Sequence, residues 1–282
     1  MTRMLRAAIG SGLITCLFMP TAAFAAASPG NGKTQITWYG NAAFKVTTPA
    51  GHVLLIDPWI TNPRNTTGKA DLAALDKVDL ILISHGHADH IGDAVAIARR
   101  TGAKLVSTHD LGTALVAYAG YPAKDVSIDG QGDFGGEFSF FGGEVRITLI
   151  PAVHSSGVEV PRGENAPPAV EYGGNPSGFL ITVRGGPTIY HTGDTDVYGD
   201  MKLIPMHHHV DVMLTCIGNH FTMGPDGAAL AVQLVQPDVV IPMHFKGLPG
   251  FTGTPEAFRA ALEKHHSKAR LMVLSVHQTV EF

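Results

Sequence analysis

"DLILISHGHADHIGD", Asp79 to Asp93, ends an apolar run in three histidines and one aspartate within six positions. The run "VDLILIS" is short and continuously apolar, so it predicts a buried strand. His85 and His87 stand two apart on that extended backbone. Their side chains therefore point the same way and can reach one metal ion. Asp89 and His90 follow where the chain turns, and adjacent side chains diverge there, so they can serve a second ion nearby. Gly86 and Ala88 leave the backbone room to fold tightly.

One turn cannot fill two coordination shells, so further ligands are expected at later strand ends. "LIPAVHSSG" ends an apolar run in His154, "TIYHTGDTD" carries His191 and Asp194, and "VVIPMHF" carries His244. Each marks the passage from a buried strand to a loop, the common place for a site on a rigid scaffold.

The surrounding sequence alternates. "TQITWYG" reads as a strand and "AFKVTTPAGHVLLIDP" as a hairpin turning at Pro49 to Gly51. "GDAVAIARRTG" reads as a helix stopped by Gly102, followed by a strand "KLVST" and a helix "DLGTALVAYAG". The middle is β-rich, with "EFSFFGGEVRITLIPAV" and "GFLITVRGGPTIYHTGD". The last third reads strand "VDVMLTCIG", helix "GPDGAALAVQLVQ", strand "PDVVIPMH", helix "TPEAFRAALEKHH" opened by Thr254, and strand "RLMVLSV". Sheets packed together with helices outside suit this order. Gly157 to Asn175, rich in Pro and Gly, is expected to be an irregular loop overhanging the cleft.

Residues 1–25 read as a cleavable signal peptide. Arg3 and Arg6 begin it, Ala7 to Phe18 is mostly apolar, and Ala23-Phe24-Ala25 offers a cleavage site. The apolar core is too short for a comfortable membrane span, so no stable membrane anchor is expected. A periplasmic or secreted protein is. The segment holds two of the twenty basic residues and none of the acids, so its removal takes the net charge from −4 to −6. With no basic stripe, nucleic acid is not an expected partner, and a small molecule is. Cys16 leaves with the signal, and Cys216 in its apolar strand then has no internal partner.

The motif H-x-H-x-D-H at His85, His87, Asp89 and His90, followed by His154, Asp194 and His244, resembles the metallo-β-lactamase superfamily. "ITWYGNAAFKV", "LLIDPWITNP", "YHTGDTDVYGDM", "IGNHFTMGPDGAALAV" and "VIPMHF" are similar to its bacterial metal-dependent hydrolase branch, related to ascorbate-6-phosphate lactonase. Relatives often carry histidine where this chain has Asn41. The resemblance implies an α/β fold, the αββα sandwich of two packed mixed sheets with helices outside, over residues 34–282. It implies that His85, His87 and His154 bind one metal, that Asp89, His90 and His244 bind another, and that Asp194 bridges them.

Behind this set, Asp57 is expected to accept N–H bonds at the back of the motif loop, and His191 to play a structural or supporting part. Asn41, His220 and Lys246 are candidate substrate contacts. His207 to His209 are expected to be solvated, and His265 and His266 to end a helix where cations suit the dipole.

Two divalent ions, zinc by donor type with manganese or iron as substitutes, can acidify a water toward neutrality without serine or cysteine. Asp89 would orient the resulting nucleophile. The expected enzyme is a dinuclear hydrolase of an ester, lactone or phosphodiester. A β-lactamase-type amide hydrolase and a non-catalytic metal-binding module are the alternatives. The β-lactamases of the superfamily generally lack the bridging aspartate, which weights the reading away from amides.

Overall fold

The computed structural model describes residues 32–163, 166–246 and 249–282. Residues 1–25, read above as a signal peptide, and with them Cys16, lie outside the described residues. The strands are β1 Gln35–Gly40, β2 Ala43–Thr47, β3 Val53–Ile56, β4 Leu80–Leu82, β5 Lys104–Thr108, β6 Gln131–Gly132, β7 Glu137–Phe140 and β8 Val145–Pro151. They continue as β9 Gly157–Val160, β10 Ala169–Tyr172, β11 Ser177–Val183, β12 Thr188–His191, β13 Val212–Cys216, β14 Val239–Met243, β15 Arg270–Leu271 and β16 Thr279–Glu281. The helices are α1 Gly68–Ala74, α2 Ala88–Ile91, α3 Ala94–Thr101, α4 His109–Ala114, α5 Ile204–His207, α6 Pro225–Val235 and α7 Pro255–Lys264.

Two seven-stranded sheets form, in the orders β16-β1-β2-β3-β4-β5-β6 and β15-β14-β13-β12-β11-β8-β7. Each is antiparallel in one half and parallel in the other. Strand alternation explains how the layers stack. Leu54, Ile56, Leu80 and Leu82 point between the sheets, against Ile147, Phe179, Ile189 and Leu214. Leu55, Ile81 and Ile83 point the other way, onto Ile97 and Ala98 of α3 and Leu111 of α4. Ala228 and Val232 of α6 and Phe258 of α7 cover the outer face of the second sheet. Sheets covered on both faces read as continuous apolar runs, as "LILI" does here. The αββα sandwich is therefore present.

The punctuation predicted from sequence also holds. Gly102 ends α3 in the left-handed conformation, and Thr254 caps α7 by accepting from the Ala257 N–H. Two expectations need correction, and one strand is additional. Gly157 to Asn175 is not irregular throughout: β9 and β10 form an antiparallel hairpin, with Val160 opposite Ala169 and Gly157 opposite Tyr172. The apolar Val158 and the backbone ladder order it despite the Pro-rich tip. "RLMVLSV" yields only two strand residues, Arg270–Leu271. The chain then returns to the first sheet, where the unforeseen β16 pairs antiparallel with β1.

Candidate metal centre

The loops that follow β4, β8, β12 and β14 carry the predicted ligands, and the loop that follows β3 carries the supporting Asp57. His85 and His87 leave β4. Their facing nitrogens, His85 Nε2 and His87 Nδ1, lie 3.0 Å apart, and His154 Nε2 is 3.3 Å from His87 Nδ1. These three form one tripod. Asp89 and His90 sit in the single turn of α2, which carries them away from the first pair. His90 Nε2 is 3.2 Å from His244 Nε2, and His244 Nε2 is 3.2 Å from Asp89 Oδ2. These form the second tripod.

Asp194 stands between the two. Its Oδ2 is 3.2 Å from His244 Nε2, 3.3 Å from His90 Nε2 and 3.8 Å from His154 Nε2. Gly193 allows this placement: its φ is +60°, and a Cβ there would lie 2.5 Å from the Ser177 carbonyl oxygen. The loops of His154 and Asp194 are clipped together, since Val153 N–H donates to Thr195 Oγ1 at 2.9 Å and Asp196 N–H to the Val153 carbonyl at 3.1 Å.

Supporting residues fix which nitrogen His85 and His90 present. Asp57, fully buried, accepts from Ser84 N–H at 2.8 Å, Ser84 Oγ at 2.7 Å and His90 Nδ1 at 2.8 Å. Ser84 Oγ in turn accepts from His85 Nδ1 at 2.9 Å. One serine and one aspartate thus orient a ligand of each tripod. His191 does not face the cleft. Its Nε2 donates to the Ala42 carbonyl at 3.1 Å, and its Nδ1 accepts from the Gly193 N–H at 3.1 Å, so it holds the turn before Asp194.

Asn41, read from sequence as a substrate contact, is buried, and its amide donates to Asp89 Oδ2 at 3.2 Å. Its carbonyl accepts from Trp38 Nε1 at 3.0 Å and from the His244 N–H at 3.1 Å. It therefore positions two ligands of the second tripod. Asn41, Asp57 and His244 have φ of 47°, 44° and 54°, left-handed values uncommon outside glycine. His220 and Lys246 are exposed and do not line the cleft. His220 instead packs edge-on against Phe221, with ring centroids 4.4 Å apart.

The electrostatics ask for added positive charge. Burial opposes a charge on His90, yet Asp194, Asp89 and Asp57 outweigh it and raise its pKa well above the usual imidazole range. Burial likewise opposes ionisation of Asp194, but His244 and His90 hold its carboxyl below the usual range. His85, by contrast, is kept neutral by burial and by His90 beside it. Asp194 Oδ1 and His244 Nδ1 are buried without a hydrogen-bond partner among the described residues. Converging imidazoles, two ionised carboxylates in the shell and an orphaned carboxylate oxygen fit divalent cations.

A cleft of about 740 Å³ opens over this centre, lined by Asp89, His87, His154, Asp194 and His244. Trp59, Phe221 and Phe251 give it an aromatic side that sequence reading missed, because isolated aromatics in loops carry no periodic signal. The thiol of Cys216 lies beneath, pushed up to about 12 by burial and then by Asp194, which suits an inert structural cysteine.

The model of the β-lactamase superfamily domain matches residues 35–244. A UPF0173 metal-dependent hydrolase of Thermodesulfovibrio yellowstonii is 49% identical over 269 residues, covering 95% of this chain and 97% of its own. One from Anaeromyxobacter sp. (strain K) is 54% identical over 253 residues, covering 89% of this chain and 88% of its own. Among solved structures, Igni18, a metallo hydrolase from Ignicoccus hospitalis, is similar with 34% identity and a TM-score of 0.75, over 89% of this chain and 98% of that one. With the fold and the ligand-bearing edge in agreement, the chain belongs to the metallo-β-lactamase superfamily, within its UPF0173 metal-dependent hydrolases.

Proposed function

We propose that the centre holds two divalent cations, zinc first, with manganese or iron as substitutes, and that the enzyme cleaves an ester, lactone or phosphodiester bond of a small molecule. Asp194 carries this reading. A single carboxylate oxygen lies within 3.8 Å of ligand nitrogens from both tripods, while its second oxygen is buried and unpaired. His85, His87 and His154 would hold one ion, Asp89, His90 and His244 the other, and Asp194 both. Bound there, the cations supply an acidified water and stabilise negative charge on oxygen.

The chain's own residues do the rest. Asp89 resists ionisation through burial, but His90 and His244 outweigh this and hold it well below the usual carboxylate range. It therefore accepts a hydrogen bond and aims the attacking water. Asn41 keeps Asp89 in place, and Asp57 keeps His90 in the tautomer that presents Nε2. Trp59, Phe221 and Phe251 take apolar substrate surface and exclude bulk water.

Metal-reconstituted protein should turn over a member of a panel of lactones and bis-p-nitrophenyl phosphate, and a chelator should abolish that turnover. Turnover of nitrocefin alone would move the reading to amides. Two bound ions with no turnover of any of these would contradict it. We also place the mature chain in the periplasm or outside the cell, on the strength of Arg3, Arg6, the apolar run and Ala23-Phe24-Ala25. N-terminal sequencing of exported material should begin near Ala26, and an intact Met1 would refute this.

A further inference from the structure

Away from the ligands, the cleft wall has a chemical sign of its own. Trp59, Phe221, Phe251 and Thr61 line it with the carboxylates of Asp93 and Glu159, and no lysine or arginine lines it among the described residues. The two acids are not equivalent. Asp93 is engaged: it accepts from the Thr61 N–H at 2.8 Å and from Thr61 Oγ1 at 3.0 and 3.1 Å. Glu159 is exposed, and among the described residues its carboxylate has no hydrogen-bond or ion-pair partner.

Strand alternation puts Glu159 there. On β9, Val158 is 1% exposed and packs into the core below, so the next side chain turns outward to the cleft. Phe221 is 57% exposed at the rim, although a buried alternative would stabilise the fold more. It is held outward by a tight turn in which Asn219 and His220 have φ of 65° and 61°. Its ring meets Phe251 edge-on at 6.1 Å, and Phe251 lies 4.7 Å from the His244 ring, so the aromatic surface runs from the rim to the ligands.

An open aromatic surface beside an unneutralised carboxylate is the chemistry that recognises organic cations. We infer that the cleft selects substrates whose part remote from the scissile bond carries an ammonium group, taken by the aromatic lining with Glu159 as its counter-charge. Isosteric anions are rejected. This rests on the hydrolase reading above and narrows it, favouring an ammonium-bearing ester or lactone over a phosphodiester.

The test uses three aryl hydroxamates, which chelate metals alike, whose rings carry trimethylammonium, tert-butyl or sulfonate. Calorimetry on metal-reconstituted protein reads their binding without turnover, and metal content is measured in the same samples. The cation should bind about tenfold tighter than the neutral compound, and the sulfonate should bind weakest. Glu159→Gln should shrink the cation-to-neutral ratio by about threefold, leaving the share held by the aromatic lining. Equal or tighter binding of the sulfonate overturns the inference, as does an unchanged ratio in Glu159→Gln or failure of all three to bind a metal-loaded protein. Protein that takes up no metal removes the hydrolase reading instead, and this inference falls with it.

Discussion

His85, His87 and His154 form one end of the centre and Asp89, His90 and His244 the other, and the two ends differ in what stands behind them. At the first end His87 and His154 are partly exposed, and the far nitrogen of His87 is 3.3 Å from the hydroxyl of Ser155, itself exposed. At the second end His90 and His244 are buried, Asp57 locks His90, and Asn41 ties down both Asp89 and His244. Asp194 also leans toward this end, at 3.2–3.3 Å against 3.8 Å. Three carboxylates surround the second end, whereas the first relies on imidazoles. The residue set is therefore graded: one end is buried, braced and rich in carboxylates, and the other is more open.

The largest effect is expected from Asp194→Asn. It removes the shared charge, and turnover should fall by about a thousandfold, ~4 kcal/mol of transition-state stabilisation. Kinetics on a substrate from the panel measure it, and near-wild-type kcat would contradict the shared role. Asp57→Asn should come next. It leaves the second ion about 10- to 100-fold weaker by competitive chelator titration, with the first ion less affected.

Asn41→Gly keeps the left-handed backbone while deleting the amide, so it isolates the side chain's hold on Asp89. The second ion should weaken several-fold, roughly the effect of losing one hydrogen bond to a charged group. Ser155→Ala at the open end should change neither ion by more than about twofold. Equal losses in these two variants would mean the ends are not graded.

The smallest effect lies outside the centre. Burial opposes ionisation of Glu144, but bonds from Thr48, Ala50 and His52 outweigh it and hold its carboxyl below the usual range. Its stabilisation is therefore fully present above its unfolded pKa, about 4.5, and is lost as pH falls through the lower folded value. In metal-free protein, Glu144→Gln should cost about 1 kcal/mol at pH 7 and flatten the decline below pH 4.5. Urea midpoints at both ends of that window measure it. A wild-type slope would show that the acid limb is set elsewhere.

Much of this was legible in the sequence, for identifiable reasons. Ligands at strand ends follow an apolar run, so His85, His154, Asp194 and His244 could be found one by one, and the diverging turn at Asp89 and His90 separated the two ends. Their pairing across the chain came from family resemblance, because His244 and Asp89 are joined only by folding. The hold of Asn41 on Asp89 and His244 is not legible in the sequence, because both partners lie far along the chain. Ser84 was passed over because a serine before a motif histidine carries no distinctive signal, though it links Asp57 to His85. The β9–β10 hairpin was hidden by the prolines and glycines of its tip, and β16 by its brevity and polarity.

We propose that two ions share Asp194 at unequal ends, and native mass spectrometry during metal titration tests this most directly. The wild-type chain should add a first ion at low metal and a second at higher metal, ending at two. Asp194→Asn should stop at one ion over the same range. A wild-type chain that saturates at one ion, or an Asp194→Asn chain that still fills both positions at wild-type metal levels, would contradict the account.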